Sequence, residues 1–314
     1  MAIKKACSFK NTVLNTGKEC DVAMVAPAML IAVPRSYKFT DTDLLSPDAW
    51  MDTLIHASLA TRAFPLFGQQ APINDVTNDS EGDTTVTLGD GTKVFLRYGM
   101  YNRTLETIAG GLCYAKSLAS FLKSGYSIIE IDQQGQMLCR KNDDGSYSGL
   151  ITTFMYSPAP KLADFTSTPY KNQFQYSFSP VELVNNGVIL EGASTLLDKM
   201  GLIDAKLVNV STVQTTTNIF FGVQTECAET DLVALVGAPL ATVGNFIVTN
   251  KATGAVITPS AAAIVSGQIR LTGVFATGQT FYVVGSAPSV WKTNLVEGYD
   301  ASLVPDARIE IVIP

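Results

Sequence analysis

The sequence predicts a mainly β protein of the α+β class, and three observations carry that expectation. Short runs of β-branched, aromatic or strictly alternating residues recur between Gly, Asn, Asp and Pro turns, which is the pattern of strands. Few segments show the spacing of a buried helical stripe. From about Asn218 the composition shifts to Val, Thr, Ala and Gly with few charges. At 314 residues and 46% hydrophobic the chain can bury two cores, because single cores rarely grow past roughly 250 residues. Two domains are expected: residues 1–217, an antiparallel β-sheet core with a flanking helix and an N-terminal helical extension, and residues 218–314, a β-sandwich.

Ser46-Pro47-Asp48 opens the first helix, with an N-cap, a proline at the first helical position and an acid at the positive end of the dipole. Its buried stripe is Trp50, Met51, Leu54, Ile55 and Leu59, and it stops before Pro65. The stretch Asn74 to Thr85 (NDVTNDSEGDTT) holds Asp75, Asp79, Glu81 and Asp83 and no base. Thr84 to Leu88 and Lys93 to Tyr98 flank Gly-Asp-Gly as a hairpin. In LCYAKSLASFLKSG, Leu112, Ala115, Leu118, Ala119 and Leu122 share a helical face, Lys116, Ser120 and Lys123 point outward, and Gly125 stands where a left-handed C-cap belongs. YSIIEI, QMLCR and SGLITTFMY then read as a meander. Lys171 to Phe178 alternates, giving Phe174, Tyr176 and Phe178 a packed face and Gln173, Gln175 and Ser177 a wet one. A short helix spans Ser194 to Met200. IFFGVQT, NFIVTN, AVIT, QIRLTG and TFYVVG follow at the spacing of an immunoglobulin-like β-sandwich, and ARIEIVIP either finishes it or returns to the first domain.

Composition excludes several functions. The net charge of −6, with basic residues only in pairs such as Lys4-Lys5 and Arg140-Lys141, argues against grip on nucleic acid or anionic lipid. Charged residues are 16% of the chain, against about a quarter in typical proteins, which suits a subunit partly covered by neighbours. The start MAIKKACSFK lacks a secretory apolar core, and VAMVAPAMLIAV is interrupted by Pro27 and falls short of the roughly 20 residues that span a bilayer, so synthesis and folding in a cytoplasm without a membrane partner are expected. Cys7, Cys20, Cys113, Cys139 and Cys227 are odd in number, scattered and free of C-x-x-C pairs, the pattern of reduced, mostly buried thiols.

Catalytic signatures fail at defined positions. GSYSG has Tyr147 where a nucleophile elbow needs serine. GDGTKV ends on Val94 where dinucleotide binding needs a third glycine, and NTGKEC has Glu19 where a P-loop needs a hydroxyl. The lone histidine, His56, follows Asp52 by four residues, a helical pair with no nucleophile specified beside it. In NDVTNDSEGDTT the calcium-loop register fails, since aligning Gly82 on the turn glycine puts Leu88 at the bidentate glutamate. No catalytic residue, cofactor or metal site is expected, and the acidic stretch reads as a solvated loop or arm.

Taken in order, an N-terminal helix, an acidic insert leading into a hairpin, an amphipathic helix, a meander, an aromatic-alternating strand and a C-terminal sandwich resemble the tail-tube family of tailed bacteriophages. The likeness runs over roughly Thr84 to Phe178. RYGMYNRTLETIAGG and TFMYSPAPKLADFTSTPYKNQFQYSFSP also look like structural proteins of phages infecting gut Bacteroidetes. The resemblance implies a tail-tube-like sheet whose copies join edge to edge into a homo-oligomeric ring, hexameric or larger, around a DNA channel in the virion. It implies that Asp75, Asp79, Glu81 and Asp83 lie on an assembly arm, and that Gln173, Gln175 and Ser177 line the channel or an interface. Other virion proteins are the implied partners, and DNA is cargo that an acidic lumen does not hold. The N-terminal 70 residues exceed a minimal tube subunit, so a head-tail connector ring is the variant reading. Two alternatives stand beside it: a head fibre or surface β module binding a carbohydrate or receptor, and an enzyme acting on glycans with carboxylates alone.

Overall fold

The computed structural model describes residues 3–8, 24–122, 125–163, 169–303 and 307–314. Cys20, Lys123 and NTGKEC lie outside them. The chain divides into two compact units, Met1–Ile55 with Ala60–Gly201, and His56–Leu59 with Leu202–Pro314. The second unit thus starts ahead of the boundary expected between 217 and 218.

The strands of the first unit are β1 (Lys4–Ser8), β2 (Pro27–Pro34), β3 (Phe64–Phe67), β4 (Asp75–Asn78), β5 (Thr84–Thr87), β6 (Lys93–Arg97), β7 (Tyr101–Thr107), β8 (Tyr126–Asp132), β9 (Gln136–Lys141), β10 (Tyr147–Ser148), β11 (Leu150–Ile151), β12 (Phe154–Tyr156), β13 (Asn172–Phe178) and β14 (Gly187–Glu191). Its helices are α1 (Asp41–Leu44), α2 (Pro47–Ile55), α3 (Gly111–Ala119) and α4 (Pro180–Asn186). A large sheet runs β1-β14-β9-β8-β2-β3, with β10 paired to β9 and β11 to β8. From Pro27 onward the apolar run forms strand β2, between β8 and β3. Met29, Ile31 and Val33 on one face and Leu30 and Ala32 on the other are all buried, which is why the segment shows no alternation.

A second antiparallel sheet, β12-β13-β7-β4, packs its inner face on the large one. Their shared core joins Leu30, Ala32 and Phe67 to Leu105, Met155, Phe174, Tyr176 and Phe178, with Leu118 of α3 and Phe121 closing it. α2 begins as expected and buries Trp50, Met51, Leu54 and Ile55, but it ends at Ile55, so Leu59 of the expected stripe lies beyond the helix and is exposed. α3 forms as expected, yet Leu112 of its predicted face is exposed. Gly125 does not adopt a left-handed φ, so the C-cap expectation is corrected; the chain leaves α3 through a 3-10 turn at Ser120–Leu122. α4 was not anticipated, although Ser179-Pro180 repeats the signature of α2: the Ser179 hydroxyl accepts the Val181 N–H at 3.2 Å.

The second unit contains β15 (Ile203–Asn209), β16 (Asn218–Thr225), β17 (Phe246–Asn250), β18 (Val256–Ile257), β19 (Ala261–Val265), β20 (Gln268–Thr272), β21 (Thr280–Gly285), β22 (Tyr299–Asp300) and β23 (Ile309–Val312), with helices α5 (Leu232–Val236) and α6 (Pro288–Thr293). Sheets β19-β20-β16-β15-β22 and β18-β17-β21-β23 enclose one core of Leu207, Phe221, Val223 and Leu271 against Phe246, Val248, Phe281 and Ile311. With β15, β16, β20 and β19 as strands A, B, E and D, and β17, β21 and β23 as C, F and G, this is the immunoglobulin-like arrangement. ARIEIVIP finishes the sandwich as β23, paired with β21.

Candidate assembly surface

The four-stranded sheet carries the polar strand singled out in the sequence. Successive side chains alternate across a strand, so the inner face holds Met155, Phe174, Tyr176, Arg103, Leu105 and Val76. The outer face holds Phe154, Tyr156, Gln173, Gln175, Ser177, Asn102, Thr104, Glu106, Asp75 and Thr77. Gln173, Gln175 and Ser177 do share this face, but the expectation that it is wet is corrected: Gln173 and Ser177 are buried and Gln175 is half-buried. Neighbouring strands cover them. Gln173 donates to Glu106, opposite it in register, Lys161 and Lys171 reach the same carboxylate at 3.1 and 2.6 Å, and Thr153 Oγ1 lies 3.1 Å from Ser177 Oγ.

Burial works to raise the Glu106 carboxyl, but hydrogen bonds from Lys171, Lys161 and Gln173 outweigh it and hold the group below its ordinary 4.5. A lowered folded value means that the group adds stability above its unfolded value and loses it as pH falls through the folded one. Glu106→Gln is therefore expected to lower stability at neutral pH and to flatten the acid limb below about pH 4.5, read from urea midpoints across pH.

The inner face carries a second charged group. Glu130 of β8, with no exposure, accepts from Arg103 of β7 and, at 3.0 Å, from the Tyr176 hydroxyl of β13. Burial pushes the Glu130 carboxyl up, with Arg103 opposing, and pushes the Tyr176 phenol up too. Both bonds to Glu130 join one sheet to the other, so the group ties the two sheets together. A lone acid inside the apolar run YSIIEI was its signal in the sequence.

Asp75, Asp79, Glu81 and Asp83 are all exposed, but they belong to a paired edge. β4 pairs with β7, and the ladder continues as the Asp79 and Glu81 N–H groups donate to Asn102 and Met100, each at 3.0 Å. Asp83 Oδ1 accepts the Gly99 N–H at 3.0 Å. Here glycine is required, since a Cβ on Gly99 would overlap the Glu81 carbonyl. The segment that stands free of the sheet is instead the β5–β6 hairpin, whose Val86, Leu88, Val94, Phe95, Leu96 and Tyr98 are exposed. A two-stranded hairpin alone is at best marginally stable in water.

β4 and β12 are the outer strands of this sheet. Near β12 the exposed apolar side chains are Ile151, Phe154 and Tyr156; near the start of β4 they are Ile108 and Leu112. Pro158 and Pro160 lack an N–H, so past β12 the edge can only accept at these two positions.

The remaining sequence candidates are dispersed. α2 stops at Ile55, so His56 is buried just beyond the helix that was expected to carry it with Asp52. Tyr147 of GSYSG is buried and donates to Asp41 at 3.1 Å. Cys139 is a buried free thiol whose pKa burial raises, whereas Cys113 and Cys227 are disulfide-bonded, which corrects the expectation of reduced thiols at those two positions. Among the described residues no group of three or more His, Cys, Asp or Glu side chains is placed to hold a metal ion, and no helix is long and apolar enough to cross a membrane. No family model, curated protein or solved structure matches the chain.

Proposed function

We propose that the protein is a non-enzymatic virion structural subunit that assembles with copies of itself into rings, forming the tail tube of a bacteriophage or the conduit at its head-tail junction. The observation that carries this reading is the four-stranded sheet with β4 and β12 as its two outer strands. Exposed strand edges are a liability in a free protomer and are relieved when they pair with another chain. With an even number of strands, all antiparallel, the two edge strands run in opposite directions. Head-to-tail addition of a second copy therefore continues the antiparallel ladder, and repetition by a closing rotation gives a ring. Apolar side chains at both edges supply the area such a contact buries. The outer face offers amides, hydroxyls and a carboxylate held by two lysines, with Phe154 and Tyr156 exposed only along its β12 border, so it presents passing DNA no cationic stripe.

The resemblance to tail-tube proteins in element order supports the placement in a virion, with other virion proteins above and below the ring. Native mass spectrometry with negative-stain microscopy tests the reading. Closed rings or tubes of hexameric or higher order are expected; a strictly monomeric species at high concentration overturns it, and trimers with projecting loop tips point to a fibre instead.

A further inference from the structure

The two edges carry opposite charge. Residues 75–83, β4 and its continuation, contain Asp75, Asp79, Glu81 and Asp83 and no base, while residues 150–161 (LITTFMYSPAPK), around β12, contain no acid. Cations stand at both ends of the β12 segment. At its start the Arg35 guanidinium donates to the carbonyls of Thr152 and Tyr126; at its end is Lys161, with a half-exposed side chain. Beside Arg35 opens a cavity of about 440 Å³, also lined by Lys38 and Arg140 and by the acids Asp143 and Asp144. Lys38 is held by Asp144 at 2.6 Å and Arg140 by Glu182 at 3.0 Å; Arg35 is bonded to carbonyl oxygens, and Lys161 shares the Glu106 carboxylate with Lys171, two cations on one acid.

Resting on the edge-to-edge reading above, we propose that charge sets the partner and register of that contact: residues 75–83 of one copy lie antiparallel along residues 153–161 of a second copy. The two spans are equal in length; Phe154–Tyr156 lie opposite residues 80–82 with donors on both strands, whereas Pro158 and Pro160, opposite Asn78 and Val76, can only accept. This alignment brings Asp83 and Glu81 toward Arg35 and its cavity, and Asp75 toward Lys161. The competing two-fold arrangement, β4 against β4, sets acid run against acid run. Opposite charges across a strand pair stabilise it and like charges destabilise it, so the same residues that favour head-to-tail addition oppose a closed dimer.

Two charge-reversed proteins test this. Asp75→Lys with Glu81→Lys changes only exposed side chains of the acidic edge; Arg35→Glu with Lys161→Glu reverses the two cations they face. Each alone sets like charges at the Glu81–Arg35 and Asp75–Lys161 pairs and is expected to need about tenfold more protein to assemble at low salt, the effect of two cross-strand pairs. An equimolar mixture offers matched edges at each junction, so it assembles at the concentration of the parent into rings of alternating composition with an even number of copies. That recovery also shows both variants to be folded. If each variant assembles alone as the parent does, or the mixture fails to recover, the charge register is wrong. A parent that forms rings in those same experiments leaves edge-to-edge assembly standing; a monomeric parent removes both.

Discussion

Asn78→Pro is expected to leave the protomer folded and to abolish its assembly. The Asp79 N–H donates inward to Asn102, and donors alternate along a strand, so the N–H of Asn78 points to the open side of β4. Proline there keeps the ladder to β7, suits the extended backbone and removes a donor that only a neighbouring chain can use. The ring also places bulk in the path of an incoming strand. Losing one hydrogen bond and gaining that clash weakens each junction by roughly tenfold or more, and a ring contains several junctions. Size-exclusion chromatography should show a monomer with the far-ultraviolet circular dichroism of the parent. Rings of normal size would place the interface elsewhere.

Glu130→Ala is expected to cost about 3 kcal/mol of folding stability, the lower part of the range for breaking a buried ion pair, because Arg103 keeps 27% of its side chain exposed and can turn to water. The loss has two sources, a guanidinium left without its carboxylate and the Tyr176 hydroxyl left without its acceptor. Replacing the whole group, Arg103→Met with Glu130→Leu and Tyr176→Phe, removes both orphans at once and is expected to cost far less than the single change. Urea unfolding of the three proteins decides it. A single variant within about 0.5 kcal/mol of the parent, the ordinary range for a surface change, would mean that the group does not hold the two sheets together.

What the sequence made legible was local. Ser46-Pro47-Asp48, the Gly89-Asp90-Gly91 turn and the alternation of Phe174, Tyr176 and Phe178 each name their own element, because the deciding interactions lie within a few residues. The topology of the first unit was not legible in this way: β1 pairs with β14 and β2 with β8 across long separations, and nothing in VAMVAPAMLIAV specifies a partner. The sandwich boundary was placed late because Asp204 and Lys206 give β15 a charged outer row, so its strand character precedes the change in composition. Gln173 and Ser177 looked solvent-facing for a related reason. Whether a polar face is wet depends on what lies across it: Gln173 bonds the Glu106 carboxylate that Lys161 and Lys171 also hold, and Ser177 meets Thr153. Arg35 carried no signal at all, since its place beside Thr152 arises only from the pairing of β2, β8 and β11.

The most direct measurement is an image of the assembled particle at a resolution that traces β strands. It should show β4 and its continuation, residues 75–83 of each copy, running antiparallel beside β12 and its continuation, residues 153–161 of the next, closing one uninterrupted barrel. Particles in which both strands face solvent, or contacts made solely through the immunoglobulin-like unit, would contradict that account.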